Sequence, residues 1–104
     1  MQYLTVKEMK ELDSRAINQC GIPASFLMEN AGKAIATEAM KTVRKGKVFV
    51  FCGYGNNGGD GFVAGRHLLL NDYLVETFLV GNPKPFSAET KVNYQALVAV
   101  HHTQ

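Results

Sequence analysis

Tryptophan is absent from this chain of 104 residues, and cysteine occurs only twice. Cys20 and Cys52 lack the paired spacing of a zinc ligand set and are too few for a disulfide framework. Each ends an apolar segment, the setting of a small buried thiol. An excess of one charge is also lacking: the net value is +2, and only Arg44, Lys45 and Lys47 cluster. That spread argues against the basic footprint of a nucleic-acid binder, and the cluster falls where a helix should end, where cations suit the dipole. No apolar run is long enough to span a membrane. The opening "MQYLTVKEMKELD" is charged from Lys7 onward and carries no signal-peptide apolar core. A cytoplasmic protein without nucleic-acid or membrane partners is expected. What remains, 46% hydrophobic and 19% charged residues, is the composition of one small globular domain.

Thr5 and Glu8 have capping-box spacing, which predicts a helix from near Val6. Met9, Leu12, Ala16, Ile17 and Cys20 give it one apolar stripe, and Gly21 stops it. A second helix is predicted over Ala24 to Val43, entered through Pro23. Its inner face should be Met28, Ala31, Gly32, Ile35, Ala39 and Val43, while the small side chains of Ala31, Gly32 and Ala36 suit close approach to another layer. "KVFVFC", Lys47 to Cys52, has no polar alternation and predicts a parallel strand buried on both faces. A glycine loop follows, then a helix from about Asp60 to Asn71 and a second buried strand from Tyr73 to Val80. Ser87 is placed to cap a last helix running through Val92, Leu97 and Val100.

The order α-α-β-α-β-α predicts an α/β fold, a Rossmann-like three-layer αβα sandwich with parallel strands. Two strands make a poor sheet by themselves, and "VAVHHTQ" stands after a helix where a third strand is expected. The expectation is therefore an incomplete domain, its N-terminal half; a compact two-stranded domain is the alternative.

The stretch "FCGYGNNGGDG", Phe51 to Gly61, holds the chemistry. Gly53, Gly55 and Gly58 have G-x-G-x-x-G spacing, after a strand, at the edge of the sheet where such folds bind ligands. Gly58, Gly59 and Gly61 permit positive φ and close backbone approach, and the next helix offers free N–H groups to an anion. Two checks fail, however. No acidic residue closes the second strand, which ends "FLVGN", and no lysine follows the glycines, so neither the ordinary dinucleotide fingerprint nor a phosphate-binding P-loop is satisfied. Asn56, Asn57 and Asp60 instead supply side-chain oxygens for a ligand or a hard cation. Asp60 serves equally well as a helix N-cap.

"CGYGNNGGDGFVAGRHL" and "GIPASFLMENAGKAIA" together resemble the two hallmarks of the NAD(P)H-hydrate epimerases, the YjeF N-terminal domain family, and "LTVKEMKELDSRAI" is similar to that family's first helix. The resemblance covers nearly the whole chain as the N-terminal portion of one such domain, residues 1–104. It implies interconversion of the R and S forms of NADH and NADPH that carry water at C6 of the nicotinamide. A partner dehydratase, dependent on ADP or ATP, would then repair the S form. It further implies that Asn56, Asn57, Gly58, Gly59 and Asp60 meet the hydrated dinucleotide, that Asn57 helps hold one K+ ion per subunit, and that the protein is a homodimer. Family members are about twice this length, and their later half supplies the catalytic aspartate and further potassium ligands. The resemblance thus implies no catalytic residue here, half a site, and no activity from this chain alone.

Other readings stay open from the residues. Glu29 is spaced to pair with Lys33 or to support the site. Arg66 fits a solvated helix position or a steering role, and His67 could pack beneath the sheet. Tyr54, where the family more often has proline, could stack on a ring. A non-catalytic nucleotide-binding or dimerisation scaffold of the same fold is the competing function. An ordinary dinucleotide-dependent oxidoreductase is disfavoured by the missing acidic residue.

Overall fold

The computed structural model describes residues 21–103, so the helix expected near Val6 to Cys20 lies outside the described residues. The elements in order are α1 (Ala24–Thr42), β1 (Lys47–Cys52), α2 (Asn56–Leu70), β2 (Leu74–Leu79) and α3 (Ala88–Thr103). Pro23 takes the N-cap position of α1 in extended conformation, and its carbonyl accepts from the Phe26 and Leu27 N–H groups. Ser87 caps α3 as expected: its Oγ accepts from the Thr90 N–H at 3.2 Å, and its carbonyl from the Lys91 N–H.

β1 and β2 pair in parallel, in register from Lys47 opposite Leu74 to Cys52 opposite Leu79. The intervening α2 supplies the crossover and is the helix seated on both strands, with α1 and α3 packed along it. This is the α/β, Rossmann-like arrangement expected. The strands themselves differ from expectation, because they are buried on one face. Cys52 and Val75 are buried in the core, with Val48 and Val50 packed against them. On the opposite pleat Phe51 is 67% and Leu74 66% exposed, and Phe49 and Phe78 are also open. No helix among the described residues covers that face. Phe51 stacks on Phe78, and Lys47 bridges to Glu76 at 2.8 Å while lying over the Phe49 ring.

The centre of the core is α2. Phe62, Val63, Ala64, Leu68 and Leu69 are all buried, as a helix enclosed by a sheet and two neighbours requires. From α1 it receives Met28, Gly32 and Ala36. Ile35 and Val43, expected on the inner face, are instead half exposed, and on α3 Val92 is exposed while Leu97 is buried. The contact stripe of α1 runs through its small residues because α2 lies too close for larger ones. Tyr73 closes the far end: its ring is buried, and its hydroxyl donates to the Val43 carbonyl with the Arg44 carbonyl 2.6 Å away. A carbonyl just past the C-terminus of α1 thereby gains a donor.

Candidate functional site

The glycine loop is shorter than its sequence suggests. After β1 the chain turns through Gly53, Tyr54 and Gly55, and α2 begins at Asn56, four residues before the predicted start. Gly55 is the N-cap, its carbonyl accepting from the N–H groups of Gly58 at 3.0 Å and Gly59 at 3.3 Å. Asp60 is therefore not the cap. It lies in the second turn, half-buried, and already has a partner within the fold. Asn56 and Asn57 form the first turn itself. Their backbone N–H groups precede any intrahelical acceptor, so they stand at the positive end of the helix dipole. The first turn carries no acidic residue, and among the described residues no side chain caps it.

The glycines are needed for a different reason from the one expected. Positive φ among them occurs at Gly21, Gly46 and Gly81, all outside this turn. Gly58, Gly59 and Gly61 are helical, and what each requires is the absence of a side chain. A Cβ on Gly58 would lie 1.8 Å from the Gly53 carbonyl oxygen. One on Gly59 would lie 2.6 Å from the Met28 thioether and 2.8 Å from Thr90 Oγ1, and one on Gly61 2.6 Å from Cys52 Sγ. The first turn of α2 is thus pressed against the loop, α1, α3 and β1 together. Thr90 is fully buried at this junction, its hydroxyl bonded to Ser87. Burial pushes the Cys52 thiol up to about 11, so it is a neutral packing group.

Beside the turn, Tyr54 stacks on Phe86 with ring centroids 5.8 Å apart. Phe86 in turn meets Phe62 edge-on and Tyr94 at a tilt. Sequence reasoning had no means of pairing Tyr54 with Phe86, which sits in the loop after the other strand.

A second polar cluster lies farther along α2. Glu29 of α1 accepts from Arg66 Nη2 through one carboxylate oxygen, and its other oxygen is 2.6 Å from His67 Nε2. This replaces the expected pairing with Lys33, because Glu29 faces α2 across the helix contact. Burial raises the Glu29 pKa, but hydrogen bonds from His67 and Arg66, with their charges, outweigh it and hold the carboxyl below its usual range. Arg66 Nε is buried and has no hydrogen-bond partner among the described residues. Arg66 is thus not the solvated helix residue that its position allowed, and His67 is engaged by Glu29. Ten residues separate Asn57 from His67, about 15 Å along a helix, so this cluster braces α1 on α2 farther along the seam.

Among the described residues no group of three His, Cys, Asp or Glu side chains could hold a metal, and no helix is long and apolar enough to cross a membrane.

The family model described as YjeF-related protein N-terminus matches residues 24–103. The chain is 46% identical over 97 residues to the bifunctional NAD(P)H-hydrate repair enzyme Nnr of Methanothermobacter thermautotrophicus, covering 88% of this chain and 19% of that protein. It is 44% identical over 84 residues to the NAD(P)H-hydrate epimerase of Lentilactobacillus buchneri, covering 79% of this chain and 39% of that one. A crystal structure of the yeast protein ynu0 superposes with a TM-score of 0.74 at 32% identity, covering 99% of this chain and 44% of its own. The chain spans less than half the length of each of these relatives. With the crossover fold, the compressed glycine turn and a family match over most of its length, the chain belongs to the YjeF-related N-terminal domain family.

Proposed function

We propose that this chain forms the N-terminal, ligand-facing part of an NAD(P)H-hydrate epimerase and serves in repair of hydrated NADH and NADPH. The observation that carries the reading is the first turn of α2, which is uncapped by any described side chain and held rigidly at the carboxyl edge of the sheet. Its backbone N–H groups suit a phosphate of the dinucleotide, and Gly58 and Gly59 let the turn pack closely enough on the fold to hold them in place. Asn56, Asn57 and Asp60 are the polar groups of this turn assigned to the ligand. Asn57 would also hold a potassium ion, whose positive charge would help neutralise the diphosphate when bound. The amide oxygen of Asn57 and neighbouring carbonyls fit a hard monovalent cation but make only part of a cage. These residues bind and orient; none of them is assigned the proton transfers at C6. Release of the S form to a nucleotide-dependent dehydratase would complete the repair, in the cytoplasm where the cofactor is used.

On this reading the chain by itself binds the dinucleotide weakly, with a K+ dependence, and does not accelerate epimerisation. The test is thermal denaturation of the 104-residue chain with NADP(H), with K+ or Na+ as the only monovalent cation, beside a chromatographic assay of R and S hydrated NADPH. A nucleotide shift that is larger in K+ supports the reading; no shift with any dinucleotide sinks it, and epimerisation above the spontaneous rate refutes the expected inactivity. The exposed sheet face bearing Phe49, Phe51, Leu74 and Phe78 favours one further reading, a dimerisation scaffold. That reading requires a concentration-dependent dimer in sedimentation and silence with every nucleotide.

A further inference from the structure

We propose that Tyr54, backed by Phe86, is the platform on which the adenine base of the ligand stacks; this deepens the nucleotide-repair reading and rests on it. Two loops at the carboxyl edge of the sheet meet through these rings. Tyr54 comes from the turn between β1 and α2, and Phe86 from the segment between β2 and α3. Their ring planes are 24° apart, a stacked pair. Phe86 is wedged in turn against Phe62, which is 1% exposed, and against Tyr94. The Tyr54 ring is half-buried and keeps part of its surface open. A residue serving only as core filler would be enclosed and would reach the buried Phe62; Tyr54 contacts Phe86 alone among the described rings.

The position fits one end of a dinucleotide. Tyr54 stands two residues before Asn56, where the N–H groups of α2 await a phosphate, so a base joined through one ribose can reach it. Chemistry then selects which base. Water added at C6 gives the nicotinamide ring a tetrahedral carbon and breaks its planarity, whereas adenine stays flat and aromatic. A rigid aromatic face therefore favours the adenine end and leaves the hydrated ring for the remainder of the site. Because Phe86 already fixes the Tyr54 ring, little side-chain freedom is lost on stacking.

The whole 104-residue chain is titrated with 5′-AMP and with ribose 5-phosphate, following amide and tyrosine ring signals by NMR. Wild type, Tyr54→Ala and Tyr54→Phe are compared, each first checked for an unchanged pattern of core amide signals. The expected result is that AMP binds wild type more tightly than ribose 5-phosphate by a factor on the order of ten, the size of one base–aromatic stack. Tyr54→Ala should erase that advantage, and Tyr54→Phe should keep it. An AMP advantage that survives Tyr54→Ala, or equal binding of both phosphates to wild type, overturns the platform while leaving the phosphate turn intact. Failure of wild type to bind either phosphate removes the underlying reading and the platform with it.

Discussion

Replacing Gly32 by alanine sets two effects of known sign against each other. Helix propensity alone favours the change by about 1 kcal/mol, because Gly32 lies inside α1. Packing opposes it. The new Cβ would lie 2.3 Å from Val63 Cβ, 2.4 Å from Val63 Cγ1 and 2.7 Å from the Asp60 carbonyl oxygen. Carbon atoms rest about 3.5–4 Å apart, so the surroundings must yield by more than an ångström. Val63 is fully buried, and its branched side chain is stiff at χ1, so it has no free rotamer to adopt. The remaining response is to lift α1 off α2, which loosens the largest helix contact among the described residues. Overpacking of this kind costs about 1–3 kcal/mol, and a gap of about 1 Å elsewhere along the seam forfeits a quarter to a half of each contact it opens. After the propensity gain is deducted, Gly32→Ala should be destabilising by up to about 2 kcal/mol, a fall in Tm of up to roughly 10 °C for a domain of this size.

The control is Gly65→Ala. There a Cβ would meet Leu97 Cδ1 at 3.4 Å and Val75 Cγ1 at 3.6 Å, ordinary contacts with side-chain ends. The propensity term then prevails, and stability should hold or rise by up to about 1 kcal/mol. Urea and thermal unfolding followed by circular dichroism compare the two, a suitable probe for a chain without tryptophan. If Gly32→Ala is as stable as wild type, or the two variants shift alike, the close-packing argument is wrong.

Glu29→Gln should cost about 1 kcal/mol or less near neutral pH, since the carboxylate is partly solvated. Its folded pKa is depressed, so its contribution is full above the ordinary value of 4.5 and is lost as pH falls through the folded value. The gap in urea midpoint between wild type and Glu29→Gln should therefore narrow as pH falls below the ordinary value of 4.5; a gap independent of pH would count against the charge-assisted brace. Tyr73→Phe should lower stability by about 1 kcal/mol by leaving the Val43 and Arg44 carbonyls without that donor, and an unchanged unfolding midpoint would show that they find another. In a Cys20→Ser background, Cys52 should resist iodoacetamide in the folded chain and react once urea unfolds it, because the thiol is buried and its pKa raised. Rapid labelling of the native protein would contradict its place in the core.

The local alphabet carried much of the fold. "KVFVFC" is bounded as β1, Ser87 caps α3, and α1 ends within one residue of its expected end, since strand composition and capping chemistry act over a few residues. Burial was less legible. Ile35 and Val43 read as core by periodicity, but the facing stripe of α1 is set by the nearness of α2, which no local pattern reports. Phe49 and Phe51 look like buried strand residues because their sequence is that of a sheet enclosed on two sides; only one side is enclosed among the described residues. At the site, NNGGD read as a loop but forms the start of a helix, and the reason for its glycines was not legible. Glycine's freedom to take positive φ is a property of the residue, whereas the Gly53 carbonyl that abuts Gly58 is a property of the fold. The Glu29–Arg66–His67 cluster joins residues 37 and 38 positions apart in the chain, a separation that single-helix spacing rules do not reach.

The compressed start of α2 divides the motif into two parts that should drift at different speeds. Every residue except glycine carries a Cβ, so any missense change at Gly58, Gly59 or Gly61 strikes a neighbour whether or not a ligand is ever bound. Purifying selection would keep these glycines in a descendant that had abandoned the nucleotide and kept only the fold. Asn56 and Asn57, whose proposed purpose is the ligand, would be released at once. A relative with the glycines intact and the asparagines scattered would then be recognisable as a retired binder, and the glycines alone would be no witness to function.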